Sequence, residues 1–212
     1  MSILLRVDSS PRPESATRLL TAAYAQAWQA HRPQSEVRHH DLAILDLPHL
    51  GATELGAWFA DPSDHVELHN LVLARSNRLI DDVLAADEVV IGAPMWNFNI
   101  PSSLKAWIDH VVRAGRTIQF GADGIVGAVH ARTTVVTARG SDFRPGGPTA
   151  AWDFQEPYLR QILGFMGITD LHFVHADHQG PNWADGQHVL SEARSELIAL
   201  AGSSGELAAA TA

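Results

Sequence analysis

Hydroxyl side chains are concentrated just after the first apolar segment of this sequence. Residues 3–7 predict a strand, and a helix is predicted from about residue 15 to 31. The loop between them and the start of the helix contain Ser9, Ser10, Ser15 and Thr17, without the G-x-G-x-x-G pattern or the P-loop glycines. A strand, a polar loop and a helix N-terminus form a site suited to an anion. Ser15 also suits N-capping of the helix, and the two roles are compatible.

A second polar loop follows residues 89–91, an apolar run that predicts a buried strand. The loop covers residues 92–101, and Pro101 suits the first turn of the helix that comes next, where its missing N–H is not needed. In open α/β sheets, ligands bind at the carboxyl ends of the strands. We therefore expect both loops to border one ligand site.

The second loop resembles the flavin-binding loop of the FMN-dependent NADH-azoreductase and quinone reductase family, which has a flavodoxin-like fold. The resemblance is carried by Pro94-Met95-Trp96-Asn97-Phe98-Asn99-Ile100-Pro101, followed by Leu104-Lys105 and Asp109. It continues over residues 113–120, at Arg139-Gly140 and over the helix predicted at 153–168, and is weakest over residues 40–75. The family's second glycine after Arg139 is Ser141 here. A structural loop with a core Trp is the alternative interpretation.

The resemblance implies a set of cofactor and substrate residues. Those that would hold the FMN phosphate are Ser10, Ser15, Ala16 and Thr17. Those that would line the flavin ring are Met95, Trp96, Asn97 and Phe98 on one side, and Ala138, Arg139, Gly140 and Ser141 on the other. Trp58 and Phe59 are either core residues or a lid over a flat ligand, and Phe120 is either a wall of the substrate site or a packed hairpin residue.

The composition limits the class of protein. The 212 residues carry a formal net charge of -9, which argues against nucleic acid or an acidic membrane surface as a partner. There are no cysteines, so thiolate catalysis and Cys-ligated metals are excluded. His39 and His40 are adjacent on a predicted strand and therefore point to opposite faces, so they are a poor metal-binding pair. We interpret both as surface residues and expect no metal. We find no signal peptide or membrane-length apolar run and expect a cytoplasmic protein.

Strands alternate with helices along the whole sequence, which predicts an α/β fold with a five-stranded parallel sheet and helices on both faces. The strand order 2-1-3-4-5 of this doubly wound, flavodoxin-like sheet is implied by the resemblance. We expect one FMN-binding domain over residues 1–212, with a closing helix that ends near residue 201 and a flexible tail over about 202–212. Residues 49–61 are predicted to be irregular, and residues 62–86 to form one long helix.

The resemblance implies a flavoenzyme that binds FMN non-covalently, accepts electrons from NADH or NADPH, and reduces quinones and azo compounds. The cofactor would carry the chemistry, so no catalytic side chain is required. One accessible flavin face must serve donor and acceptor in turn, which predicts ping-pong hydride transfer. A homodimer is also implied, with contacts expected at the helix after Pro101 and at residues 49–61. The alternative is a flavodoxin-type electron carrier without a substrate site; a hydrolase lacks its G-x-S-x-G motif.

Overall fold

Five parallel strands form the central sheet of the computed structural model, which describes residues 1–121 and 124–210. Their order is β2-β1-β3-β6-β7, and the two strands missing from this series, β4 and β5, form a separate antiparallel hairpin. With the hairpin set aside, the observed order confirms the predicted 2-1-3-4-5. The strands are β1 (Ile3–Asp8), β2 (Glu36–Asp41), β3 (Glu88–Pro94), β4 (Ile118–Gly121), β5 (Gly124–Gly127), β6 (Arg132–Ala138) and β7 (Leu171–Ala176).

Helices cover both faces of the sheet, as predicted, and each face has its own apolar core. One core joins the sheet to α3, α4 and α5, and the other joins it to α1 and α6. Strand β3 lies at the centre and is buried along its whole length, which explains its apolar sequence after Glu88. The helices are α1 (Ala16–Ala30), α2 (Ala52–Phe59), α3 (Glu67–Ala85), α4 (Ser102–Val111), α5 (Gln155–Phe165) and α6 (Gly186–Ala210).

The segment before β3 differs from the prediction. Residues 49–61 contain helix α2, and the helix predicted from residue 62 begins at Glu67, after a short 3-10 turn at Pro62–Asp64. The start of α2 is stabilised by a hydrogen bond from the Gly51 N–H to Glu54 Oε2 at 3.0 Å. A side chain at the third helical position that reaches back to the N-cap backbone is half of a capping box. The capping box is hard to recognise in this sequence because the N-cap residue is Gly51 rather than Ser or Thr.

The two adjacent histidines of β2 are not both surface residues. His40 is buried: its Nδ1 accepts from the Trp107 indole N–H at 3.1 Å and its Nε2 lies 2.9 Å from Asp82 Oδ2. With Nδ1 an acceptor, Nε2 carries the proton and the ring is neutral. Burial lowers the pKa of His40, and the hydrogen bond to Asp82 opposes this shift. His39, on the other face, lies 2.8 Å from the buried Asp8 carboxylate.

Two further differences concern helices. The apolar face of α4 packs inside its own chain, where Leu104, Trp107 and Ile108 are buried, so this face is not available to a partner subunit. Helix α6 continues to Ala210, beyond the predicted end near residue 201. Thr211 and Ala212 lie outside the described residues, and the flexibility of this tail stays a prediction. None of the described helices is both long enough and apolar enough to cross a membrane.

The β4–β5 hairpin is fixed to the end of α5 by backbone contacts. A Cβ atom added to Gly127 would lie 2.1 Å from the Gly167 nitrogen, so the two chain segments touch without side chains between them. Gly167 has a φ of +103°, a backbone conformation that favours glycine. The Val129 N–H donates to the Met166 carbonyl at 2.9 Å beside this crossing. The hairpin therefore has one fixed place on the body of the molecule.

Candidate active site

A cavity of about 450 Å³ opens at the carboxyl edge of the sheet, where β1, β3 and β6 end side by side. This is the edge at which ligands bind in open α/β sheets, and the volume lies in the usual range for ligand pockets. Both polar loops singled out in the sequence contribute to its walls. The lining residues are Ser10, Arg12, Glu14, Ser15, Ala16, Leu19, Pro94, Met95, Trp96, Ala138, Arg139, Gly140, Gln179, Gln187 and Leu190.

One end of the cavity is an uncapped helix N-terminus. Ser15 occupies the N-cap position of α1 with extended backbone angles, yet its side chain makes no capping hydrogen bond. Its hydroxyl lies instead 3.0 Å from the hydroxyl of Thr17, which is fully buried. The first backbone N–H groups of a helix have no partner within the helix and carry its positive dipole end. They are therefore available to an anion, together with the hydroxyls of Ser10 and Ser15.

The loop after β3 forms a tight turn in an uncommon conformation. The Trp96 and Asn99 backbones exchange two hydrogen bonds, of 2.8 and 3.0 Å, around the central residues Asn97 and Phe98. Both central residues have positive φ, 50° and 66°, the pattern of a type I′ turn that usually takes Asn or Gly. A phenylalanine in this region is strained by about 1–3 kcal/mol. Strain of this kind persists only where the surrounding structure enforces it.

Two neighbouring segments enforce the turn. The Met95 N–H donates to the Ala138 carbonyl at the end of β6, at 2.9 Å. The Phe154 N–H donates to the Phe98 carbonyl at 3.2 Å, and the Phe98 ring meets Trp152 edge to face with centroids 5.6 Å apart. Trp152 was not predicted to contribute to the site. It lies just before the segment 153–168 that resembles the family, outside the matched pattern, and only the fold brings it to Phe98.

Arg139 holds the opposite wall through a buried ion-pair network. Only 1% of its side chain is exposed, and it binds Asp177 with Nε and Nη2 and Asp153 with Nη1, the last at 2.9 Å. Its own N–H donates to the Ala176 carbonyl, and its carbonyl accepts from the Gln179 N–H, both at 3.0 Å. All three guanidinium nitrogens donate to these two carboxylates, so Arg139 shapes the cavity with its backbone while its charge joins three loops.

Charged groups at the cavity mouth are exposed and paired. Arg12 and Glu14 form an exposed ion pair of 2.9 Å in the loop after β1. The pKa of the Glu14 carboxyl is lowered, mainly by a hydrogen bond from the Glu14 backbone N–H and next by the Arg12 guanidinium. Outside the cavity lining, in the loop after β6, a hydrogen bond from Arg144 lowers the pKa of the half-buried Asp142 carboxyl to about 2. Among residues 1–121 and 124–210, no three His, Asp or Glu side chains come together as metal ligands.

The structure brings eight of the twelve predicted cofactor residues to the cavity wall: Ser10, Ser15, Ala16, Met95, Trp96, Ala138, Arg139 and Gly140. The other four adjoin it in sequence: Thr17 is buried behind Ser15, Asn97 and Phe98 form the turn, and the Ser141 hydroxyl accepts from Thr149 at 3.3 Å. Trp96 is 45% exposed, so the alternative of a core Trp in this loop is wrong.

The three predicted substrate residues lie outside the lining of this cavity. Phe59 and Phe120 are 83% and 73% exposed, so neither is packed in the core of the single chain. Trp58 is partly buried, with its indole nitrogen out of contact with solvent. Their role in substrate binding stays a prediction.

Several lining residues escaped sequence reasoning. Gln179, Gln187 and Leu190 come from the end of β7 and the start of α6, a region in which the sequence contains no recognisable motif. The one available signal was position, because Gln179 lies just after the carboxyl end of a predicted strand. The cavity thus combines an end formed by hydroxyls and an uncapped helix N-terminus, an aromatic turn, and a wall of backbone and amide groups. FMN, with a phosphate at one end and a flat ring at the other, fits this arrangement.

Comparison with known proteins identifies the family. A family model described as a flavodoxin-like fold matches residues 2–200. The chain is 42% identical over 196 residues to an FMN-dependent NADH:quinone oxidoreductase of Nostoc punctiforme, which covers 92% of this chain and 95% of the relative. The structure is similar to that of an azoreductase from Bacillus anthracis, with a TM-score of 0.88 and 25% identity over 96% of this chain and 100% of the other.

A second solved structure, of an FMN-dependent NADH-azoreductase from Bacillus anthracis in complex with FMN, has a TM-score of 0.86 at 22% identity. It covers 97% of this chain and all of that one, and at this identity it supports the fold alone. The family model and the curated relative each span nearly the whole sequence. The chain therefore belongs to the flavodoxin-like fold family and, within it, to the FMN-dependent NADH:quinone oxidoreductases.

Proposed function

We propose that this protein is an FMN-dependent NADH:quinone oxidoreductase that also cleaves the azo bond of aromatic azo compounds. The observation that carries the proposal is the cavity at the carboxyl edge, with an uncapped helix N-terminus at one end and the Trp96–Asn99 turn at the other. The names of the family members support the same activity.

The chain's own residues would bind and orient the cofactor. The hydroxyls of Ser10 and Ser15 and the first N–H groups of α1 would hold the phosphate, because they offer donors and a positive dipole end. Met95 and Trp96 would lie along one side of the ring, and Ala138, Arg139 and Gly140 along the other. FMN supplies the two-electron chemistry when bound, so no acid or base in the cavity is required.

The donor and the acceptor would use the same face of the flavin in turn, because the other face lies against the protein loops. The exposed aromatic rings near the site, Trp96, Phe98 and Trp152, can stack on planar molecules without selecting a hydrogen-bond pattern. Apolar contacts separate similar ligands by only about 1–3 kcal/mol. We therefore expect ping-pong kinetics and tolerance of both quinones and azo dyes. Intersecting double-reciprocal plots against NADH would contradict this scheme.

We also propose that the protein is a homodimer in the cytoplasm and that residues 1–212 form one domain. Exposed apolar side chains on α2 and on the β4–β5 hairpin support a second copy as partner: Leu55 and Phe59 on the helix, and Phe120, Ile125 and Val126 on the hairpin. Multi-angle light scattering should give twice the 23.0 kDa chain mass. A monomer at micromolar concentration would refute the dimer.

The deciding experiment separates an enzyme from an electron carrier. The protein is purified, its absorbance spectrum is recorded, and the cofactor released by heat is identified by chromatography. We expect one FMN per chain and rapid NADH oxidation in the presence of a quinone, with no partner protein added. Bound FMN without NADH oxidation would indicate a flavodoxin-type carrier, whereas FAD or no flavin would refute the proposal.

A further inference from the structure

Hydrogen bonds fix two successive residues, Ser9 and Ser10, in the loop after β1 at the end of the cavity proposed to bind phosphate. The Ser9 hydroxyl donates to the Gly92 carbonyl at 2.7 Å, and the Ser103 hydroxyl donates to the Ser9 carbonyl at 3.0 Å. The next carbonyl, that of Ser10, accepts a hydrogen bond of 2.7 Å from Nε of Arg18. Ser10 itself is buried and lines the cavity. An arginine thus determines which way the Ser10 peptide faces.

Arg18 is itself fixed by a carboxylate from the neighbouring strand. Its two Nη atoms bind the two oxygens of Asp41, the last residue of β2, with an Nη1–Oδ2 distance of 2.7 Å. Asp41 Oδ1 also accepts from the Ala43 N–H at 3.1 Å, which anchors the carboxylate to its own backbone. The hydrogen bonds from Arg18 lower the pKa of Asp41, and those of Asp41 raise the pKa of Arg18, so both groups stay charged.

A direct attraction between Arg18 and a bound phosphate does not explain this arrangement. Arg18 is absent from the cavity lining, only 14% of its side chain is exposed, and its charge is matched by Asp41 at contact distance. Its guanidinium donates hydrogen bonds to the Ser10 carbonyl and to Asp41, and its Nη1 lies 4.0 Å from Asp8 Oδ2. What Arg18 controls is the orientation of a carbonyl. If that oxygen turned towards the cavity, its negative end would face the phosphate and weaken binding.

We propose that Arg18, held by Asp41, is a positioning residue of the FMN phosphate site. It keeps the Ser10 carbonyl turned away from the cavity, so that the Ser10 hydroxyl and the N-terminus of α1 face the phosphate unopposed. The inference rests on the proposed function, since it assumes that FMN binds here. It predicts a specific consequence: loss of Arg18 weakens recognition of the phosphate and leaves recognition of the ring unchanged.

Riboflavin, which is FMN without the phosphate, separates the two effects. The apoprotein is titrated with FMN and with riboflavin, and binding is followed by quenching of the flavin fluorescence. For Arg18→Met we expect FMN affinity to fall by about 10- to 100-fold, the range for loss of one charge-assisted hydrogen bond. Riboflavin affinity should change by less than about twofold. Asp41→Asn should shift the FMN affinity in the same direction by a smaller factor.

Arg38→Met is the matched control. Arg38 lies on the same strand as Asp41 and is paired with Glu36 and Asp82 at 2.9 Å, so its loss removes the same charge without touching the loop. We expect the ratio of FMN to riboflavin affinity to stay that of the wild type. An equal loss in Arg38→Met, or an equal loss of riboflavin affinity in Arg18→Met, would overturn the inference, because either would indicate a general effect of charge or folding.

Folding of each variant is checked by circular dichroism before titration. If Arg18→Met does not fold, Arg18→Lys replaces it, because a lysine keeps the charge but cannot hold the Ser10 carbonyl and both Asp41 oxygens together. An unchanged FMN to riboflavin ratio in the folded Arg18 variant overturns the inference and leaves the proposed function intact. A wild-type apoprotein that binds FMN no better than riboflavin refutes the proposed phosphate site itself.

Discussion

Replacement of Arg139 by methionine tests whether the buried ion pairs hold the cavity wall together. Methionine has a similar length and no charge, so the stem of the side chain is kept while the three hydrogen bonds to Asp153 and Asp177 are lost. The two carboxylates do not lose the same share of their hydrogen bonds. Asp153 Oδ1 still accepts from the N–H groups at the start of α5, whereas Asp177 keeps one long contact of 3.4 Å from the Phe143 N–H.

The expected cost follows from the burial of the partners. The side chains of Arg139, Asp177 and Asp153 are only 1%, 6% and 10% exposed, so removal of the arginine leaves uncompensated charge away from water. Breaking a buried pair in this way costs about 3–5 kcal/mol. For a domain of this size, 1 kcal/mol shifts the melting temperature by about 2–4 °C, which predicts a decrease of about 6–20 °C.

The assay is thermal unfolding of the apoprotein, because bound flavin would itself raise the melting temperature. Arg144→Met is the control: Arg144 is exposed and pairs with Asp142 on the same loop, so its loss should leave the melting temperature unchanged within error. In the double variant Arg139→Met/Asp177→Asn the stranded charge is gone, and part of the stability should return. A decrease below about 2 °C in Arg139→Met, or a double variant less stable than the single one, would refute the reasoning.

Three further predictions concern packing and pH. Gly92→Ala should cost about 1–3 kcal/mol in urea unfolding, because its new Cβ would lie 3.1 Å from the Thr21 methyl group in the core; wild-type stability would contradict this. The free energy of unfolding should fall from pH 7 to pH 5, because His40 takes up a proton near pH 6.5 in the unfolded chain and resists protonation when buried. His40→Gln should reduce the slope of this free energy against pH by up to about 1.4 kcal/mol per pH unit. Equal slopes in the two proteins would exclude His40 as the cause. Gly167→Ala should lower the melting temperature and expose the hairpin to protease, because its Cβ would collide with the Gly127 backbone. Gly164→Ala has open space at its Cβ and should raise the melting temperature slightly. The reverse order would be incompatible with the close contact between Gly127 and Gly167.

The fold and the position of the site could be predicted because their signals are local. An apolar run over residues 89–91 indicated β3 as a buried central strand, and hydroxyls before a helix indicated one end of the cavity. What the sequence could not predict depends on partners far along the chain. His40 is buried because α4 brings the Trp107 indole to it, and Trp152 reaches the site because the loop before α5 folds back onto Phe98. No local pattern encodes such contacts.

The partners of Arg139 are a second example of distant contacts that the sequence does not predict. The place of Arg139 beside the cavity was predicted, but no pattern in the sequence indicated that its guanidinium would pair with two carboxylates. The missed helix α2 has a different cause: a glycine cap and a second glycine, Gly56, obscured an eight-residue helix in which only Ala57 is buried.

The glycine crossing between the hairpin and α5 has a consequence for how this protein can diversify. Because Gly127 and Gly167 meet backbone to backbone, the hairpin is located without help from its outward-facing side chains. Phe120, Ile125 and Val126 can therefore be exchanged without moving the strands that carry them. The hairpin is a rigid support with a replaceable surface, on which selection can alter what the protein contacts while its attachment stays the same.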